Sequence, residues 1–150
     1  MIDETWIETA RTMVYPADCD SQNHLNTAGY MRVFDIAIFQ LFFRLGYTVE
    51  DLETNMVGWA DVSHQINYLK EIKSGWPLFV RSAVVKIGRS SIDSVHEIVV
   101  EGTGEVAAKL QAKTVQFDLR ARASLPVLDA VRTAAQDRFA SLLQATISAP

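Results

Sequence analysis

The chain reads as an α+β protein in which one curved antiparallel sheet wraps around one long helix. Three observations predict this class. The stretch from Met31 to Leu45 is apolar almost all round, and a helix of that kind has to be enclosed by protein rather than laid on a surface. Several later segments alternate apolar and polar residues with the period of strands. The Glu101-Gly102-Thr103-Gly104-Glu105 turn then joins two of those segments as an antiparallel hairpin.

Taken in order, Glu8 to Tyr15 alternates as a first strand and is closed by Pro16. A polar loop follows. The long helix begins at Asn26 or Thr27, either of which can cap the free amides of a first turn, and ends at Gly46, the residue best suited to a left-handed position just past a helix. Val62 to Ile72 is the next candidate strand, ended by Lys73-Ser74-Gly75. Leu78 to Ile87 is a stronger one, and Ser90 to Val100 places Ile92, Ser94, His96, Ile98 and Val100 on one side. After the hairpin, Val106, Ala108, Leu110 and Ala112 share a face, whereas Val115, Phe117 and Leu119 fall in the opposite phase, which predicts a β-bulge near Thr114. Val127 to Leu143 reads as a terminal amphipathic helix with Val127, Ala130, Val131, Ala134, Phe139, Leu142 and Leu143 turned inward.

Composition bounds the function. A chain of 150 residues has room for one domain, spanning 1–150, that buries roughly 70% of its unfolded surface. Apolar content of 49% with 21% charged residues is that of a globular protein. A net charge of −4 without a Lys/Arg run speaks against nucleic acid as a partner. Cys19 is the only cysteine, which excludes an internal disulfide, and its neighbours Asp18 and Asp20 disfavour a reactive thiolate. The N-terminal residues lack the basic and apolar regions of a leader peptide. The apolar run from Val33 to Phe43 is too short to span a bilayer and contains Asp35 and Gln40, so no membrane association is expected and a cytoplasmic location is.

The chemistry concentrates in residues 15 to 30. Asp18, Asp20, Gln22, His24 and Asn26 crowd one short loop that runs straight into the apolar helix. A carboxylate and an imidazole at the mouth of a buried helix suit polar chemistry beside an apolar pocket. Other chemistries fit poorly. Read as a calcium loop from Asp18, the twelfth position is Gly29 rather than Glu and the sixth is Asn23 rather than Gly. The chain has no zinc-spaced Cys/His set, no glycine-rich phosphate loop and no Gly-x-Ser-x-Gly elbow. Asp-x-Asp is also used by aspartate-dependent phosphatases, but a chain this short lacks their usual core domain.

Asp18-Cys19-Asp20-Ser21-Gln22-Asn23-His24-Leu25-Asn26, followed by Tyr30 and Phe34-Asp35-Ile36-Ala37, resembles the motif of the hotdog-fold acyl-CoA thioesterases, and among them the 4-hydroxybenzoyl-CoA thioesterase-like family. Gln65 to Gly75 is similar to that family's second strand and following turn, and Gly88-Arg89-Ser90-Ser91-Ile92 to the opening of its fourth. Two departures stand out: Asn23 where the family often has Gly, and Gln22 where it often has Asn.

The resemblance implies a thioesterase that cleaves an acyl-CoA to free acid and CoA with no cofactor and no metal. It assigns Asp20 the role of nucleophile or general base, and gives His24 or Asn26 the orientation of the carboxylate, water or carbonyl. It places an oxyanion site at the amides near Ala28 to Tyr30, with Gln22 and Tyr30 on the substrate and Lys86 and Arg89 on the phosphates of CoA. It also implies a homodimer or homotetramer with sites between subunits. Plainer readings stand beside these. Asp20 can organise its own loop as an Asx-turn, Asn26 can simply cap the helix, and Asp18 can brace the loop. Asp35 most simply pairs with Arg32, His64 and His96 read as satisfied strand residues, and Lys86 and Arg89 can form a solvated basic surface. Two rival functions remain at this level: a non-catalytic acyl-thioester binding module, and a thioesterase acting on acyl carrier protein.

Overall fold

The computed structural model describes residues 5–143. In chain order these form β1 (Ile7–Met13), a 3-10 turn (Pro16–Asp18), α1 (Thr27–Arg44), α2 (Val49–Glu53), β2 (Val57–Tyr68), β3 (Pro77–Ile87), β4 (Ser91–Val100), β5 (Val106–Asp118), β6 (Ala123–Ser124) and α3 (Asp129–Arg138). The sheet runs β1-β3-β4-β5-β2 with every neighbouring pair antiparallel, and the short β6 is appended to β5. This is the curved sheet around a helix that the sequence predicts.

Helix α1 begins and ends where its residues dictate. Asn26 keeps extended backbone and its side chain accepts from the Gly29 amide, while Gly46, just past the last turn, takes φ +101°. The inner face, Phe34, Ala37, Ile38, Leu41 and Phe42, is fully buried and packs against β1, β3 and β4. Truncating either phenylalanine to alanine removes contacts worth about 3–5 kcal/mol. The outer face corrects the expectation of complete enclosure. Ile36 remains 50% exposed, because one sheet can cover only one side of a helix.

Four single-residue register shifts curve the sheet, at Thr9 in β1, Val62 in β2, Val85 in β3 and Ala107 in β5. The predicted phase change at Thr114 is therefore misplaced. Strand β5 stays in phase through Thr114 and Gln116, both fully buried, and the extra residue opposite Thr114 is Val62 on β2. Polar side chains can fill those inward positions because they are bonded there. Gln116 Nε2 donates to the Gly58 carbonyl at 2.7 Å, and Thr114 Oγ1 donates to Asp61 Oδ1 at 3.4 Å.

Two boundaries also differ. Strand β2 starts at Val57, earlier than Val62, and ends at Tyr68. Gly58 hides that start in the sequence; a Cβ there would come within 2.9 Å of Leu119 Cδ2, so a larger residue would have to displace that side chain. Helix α3 stops at Arg138, with Phe139 leaving helical geometry at φ −112° and a further helical stretch resuming from residue 140. Its buried line is Val127, Val131, Ala135 and Phe139, spaced by four, and Ala130 is exposed. Arg132 ties α3 to the β3–β4 turn by donating to the carbonyls of Gly88 at 2.8 Å and Arg89 at 3.0 Å.

Within the core, His96 is fully buried and bonded at both ring nitrogens by Ser82 and Ser94, as a satisfied strand residue should be. Among the described residues, no helix is long and apolar enough to cross a membrane.

Candidate active site

The loop before α1 is folded by its own polar groups. Asp20 N donates to the His24 carbonyl at 2.8 Å and Asn23 N to the Asp20 carbonyl at 3.0 Å, closing a tight turn. Asp20 Oδ1 accepts from Gln22 N at 2.8 Å and His24 N at 3.2 Å. One carboxylate oxygen therefore shapes the loop, in the manner of an Asx-turn, and Oδ2 takes no hydrogen bond among the described residues. Asn23 stands at φ +63°, which explains the departure from glycine at this position, since asparagine is among the residues that best tolerate left-handed backbone.

The loop is then fastened at both ends. Asn26 N donates to the Asp18 carbonyl at 2.8 Å, and Leu25 N donates to the Ile72 carbonyl at 2.7 Å. His24 forms a bridge with Lys73, so the loop lies against the connection between β2 and β3. Gly29 lets the helix approach closely: a Cβ there would meet Leu25 Cδ1 at 2.4 Å and the Asp18 carbonyl at 3.2 Å. Asp18 braces the assembly through an ion pair with Arg32, Oδ1 to Nη1 at 2.5 Å. This corrects the expected Arg32–Asp35 pair. Arg32 reaches back to the loop, and Asp35 instead lines a shallow cavity with Met31, Asp61 and His64. There His64 Nε2 lies 3.5 Å from Asp61 Oδ1.

Asp20, Gln22, His24, Asn26 and Tyr30 all line one open cavity of about 600 Å³. Lys86 and Arg89 do not join them. They lie at the distal end of β3, whose 11 residues span about 35 Å from the loop end of the sheet. Four residues of one segment that the sequence reading missed also line the cavity: Tyr68, Leu69, Lys70 and Glu71. Their signal was the lapse of alternation at Tyr68-Leu69-Lys70-Glu71, where two apolar residues precede two charged ones.

The side chains divide the work. Asn26 Oδ1 accepts from the Gly29 amide at 2.7 Å, and Tyr30 N bonds the Asn26 carbonyl at 3.1 Å. Two of the amides expected to hold an oxyanion are thus engaged, and those of Thr27 and Ala28 are the ones without a partner among the described residues. Tyr30 is buried and its hydroxyl donates to the Lys70 carbonyl at 3.0 Å. Burial, with Tyr68 and Glu71 nearby, pushes that phenol's pKa up and keeps it a donor. Its ring meets Tyr68 edge to face, with centroids 5.0 Å apart at 80°. Glu71 Oε2 lies 3.3 Å from His24 Nε2. Lys70 forms an ion pair with Glu105 and stands 5.9 Å from the centre of the Trp76 ring. A carboxylate with one open oxygen, an imidazole and the first residue of α1, Thr27, with its free amide, around one cavity can activate water or attack a carbonyl and receive the charge that develops.

Comparison with known proteins identifies the family. The family model of the thioesterase-like superfamily matches residues 14–135. A betainyl-CoA thioesterase from Pseudomonas aeruginosa is 24% identical over 120 residues, 80% of this chain and 76% of that protein. A thioesterase from Thermus thermophilus, complexed with coenzyme A and Zn, has a TM-score of 0.75 at 26% identity, covering 91% of this chain and 96% of its own. A hypothetical protein from Staphylococcus aureus in complex with CoA has a TM-score of 0.80 at 15% identity, covering 93% and 85%. The loop motif and the helix wrapped by its sheet thus coincide with a family match over about four fifths of the chain. The protein belongs to the thioesterase-like superfamily, as a thioester hydrolase of the hotdog fold.

Proposed function

We propose that this protein hydrolyses an acyl-CoA to the free acid and CoA, with Asp20 acting on the acyl carbonyl. The observation that carries the reading is that Asp20 lines the same cavity as Thr27 at the start of α1, with Oδ1 holding the loop and Oδ2 without a hydrogen bond among the described residues. Asp20 either attacks the carbonyl carbon, giving an anhydride that water then opens, or takes a proton from a water that attacks instead. In both routes the carbonyl oxygen gains negative charge, which the Thr27 amide and the helix dipole favour. The C–S bond breaks and the pair leaves with sulfur as the thiolate of CoA. His24 orients the water or the carboxylate. The CoA bound in two of the solved relatives supports CoA as the thiol carrier.

The working unit we propose is a homodimer. Strand β2 is a 12-residue edge with Val62 60% and Tyr68 50% exposed, and such an edge favours pairing with another strand. A two-fold pairing of β2 edges runs the two sheets head to tail. The distal end of the partner's sheet, with its copies of Lys86 and Arg89, then comes toward this subunit's loop. In that arrangement those residues serve the phosphates of a CoA bound between subunits.

The test is thiol release across short, medium, long, hydroxylated, aromatic and betainyl-CoA substrates, with Asp20→Asn in parallel. Asparagine keeps the Oδ1 acceptor that folds the loop, so the variant isolates the chemistry. Turnover on one class, reduced at least about 100-fold in the variant, is the expected result. Binding of acyl-CoA without release from any member would make the protein a binding module instead.

A further inference from the structure

Resting on the hydrolysis proposed above, we infer that Asp35, Asp61 and His64 set an upper length on the straight acyl chains this protein prefers, and so direct it to short ones. The first argument is continuity. Tyr30 meets Tyr68, and about three turns on Phe42 stacks on Trp59 at 3.9 Å, so α1 crosses β2 in the antiparallel sense. Thr27, Tyr30 and Tyr68 line the cavity of Asp20. Met31 and Asp35, farther along α1, and His64 and Asp61, farther back along β2, line the next one. The two cavities are consecutive lengths of one groove between α1 and β2, and the Phe42–Trp59 stack ends it.

The second argument is the change of character along that groove. Leu25, Tyr30, Tyr68 and Leu69 give the first length its apolar wall, and Met31 continues it. The acidic groups there stay with the loop, where Glu71 lies 3.3 Å from His24. The second length is charged, and a bulge makes it so. Residues three apart on a regular strand face opposite sides. Val62 is an extra residue in β2, so Asp61 pairs with Thr114 and Ser63 with Lys113. Asp61 and His64 therefore share the inner face, with His64 Nε2 3.5 Å from Asp61 Oδ1. Asp35 of α1 joins them, because the neighbouring Arg32 is engaged with Asp18 instead.

The third argument is energetic. Each methylene laid on apolar wall strengthens binding about three- to fourfold. One laid against Asp35, Asp61 and His64 displaces their water without replacing its bonds, and the gain stops. With the acyl carbonyl at the Thr27 amide, Met31 lies about one turn farther and Asp35 about two. The polar length thus begins about 6 Å from the carbonyl, the span of roughly five methylenes.

The experiment is kcat/KM for straight-chain acyl-CoAs from acetyl to palmitoyl. We expect a rise of about three- to fourfold per methylene up to about six carbons, then a plateau or a fall. Asp35→Leu, at an exposed helix position, and His64→Leu should each move that break to longer chains. Each should raise kcat/KM for decanoyl-CoA at least about fivefold and leave acetyl-CoA turnover unchanged. An unbroken rise to palmitoyl, or a break that neither variant moves, would overturn the inference and leave the thioesterase reading standing. S-alkyl-CoA thioethers of the same lengths, which contain no thioester to cleave, separate the two readings. Their Kd should break at the same length and shift in the same variants. A Kd that falls without a break would overturn the length limit whatever the turnover. A break in Kd with no thiol release from any acyl-CoA would sustain the limit and remove the hydrolysis.

Discussion

Ser82 Oγ stands 2.6 Å from Nδ1 of His96, and Ser94 Oγ stands 2.8 Å from Nε2, so a fully buried imidazole is answered by a hydroxyl on each side. Thr9 Oγ1 extends the chain to β1, 2.7 Å from Ser82 Oγ. Hydroxyls donate or accept as needed, so either neutral tautomer is satisfied; a charged ring would be buried without a counter-ion.

Burial, reinforced by His64, lowers the His96 pKa to about 3 from an ordinary value of 6.5. The folded state therefore keeps the ring neutral while the unfolded chain takes up a proton. The stability from this ring is present in full above about pH 6.5 and is lost as pH falls from there toward about 3, at ~1.4 kcal/mol per pH unit. Urea unfolding at several pH values between 7.5 and 4.5 should show this slope, and His96→Gln should flatten it. An unchanged slope in the variant would assign the acid sensitivity to other groups.

Asn26 spends its side-chain oxygen on the Gly29 amide, so its role is that of a cap. Asn26→Ala should cost about 1 kcal/mol, or ~2–4 °C in thermal midpoint for a chain of this size. Asn26→Asp should retain both stability and turnover. Loss of activity in Asn26→Asp with an unchanged midpoint would restore the catalytic reading.

Asn23 holds φ +63° in the turn that presents Asp20. Asn23→Gly should be neutral or slightly stabilising, whereas Asn23→Val should cost at least ~1–2 kcal/mol and cut kcat by displacing the carboxylate. Denaturant midpoints and thiol-release rates on the same samples check both parts.

Gly29 leaves room for Leu25 and for the Asp18 carbonyl. Gly29→Ala should cost roughly 1–3 kcal/mol by overpacking and lower turnover as the loop lifts off the helix. Combined with Leu25→Ala, which vacates the space, the penalty should fall below the sum of the two single changes. Strict additivity would show that the methyl is accommodated elsewhere.

The sequence is most readable where a residue acts on its immediate neighbours. Asn26 and Gly46 mark the ends of α1 because capping is local, and the turn at Asp20 is legible because Asp20 bonds its own neighbours Gln22 and His24. Alternation misleads where polarity and position part company. Thr114 and Gln116 point inward because partners on β2 satisfy them, and Phe117 can be only partly buried with Arg122 packed over its ring at 5.1 Å. Such pairings depend on which strand arrives alongside, which local pattern does not encode. For the same reason Tyr68 and Glu71 escaped notice as site residues: they meet Tyr30 and His24 from more than 35 positions away.

The bond from Leu25 to Ile72 and the bridge from His24 to Lys73 have a consequence for how the protein is made. On the ribosome the Asp20 loop emerges well before the segment that holds it, and it has no partner to lie against until residues 68 to 73 follow. Closing that loop carries an entropic cost that local contacts do not recover. The site is therefore among the last parts to acquire its shape. A nascent chain arrested before Tyr68 would carry every residue of the motif and still lack the cavity in which they act.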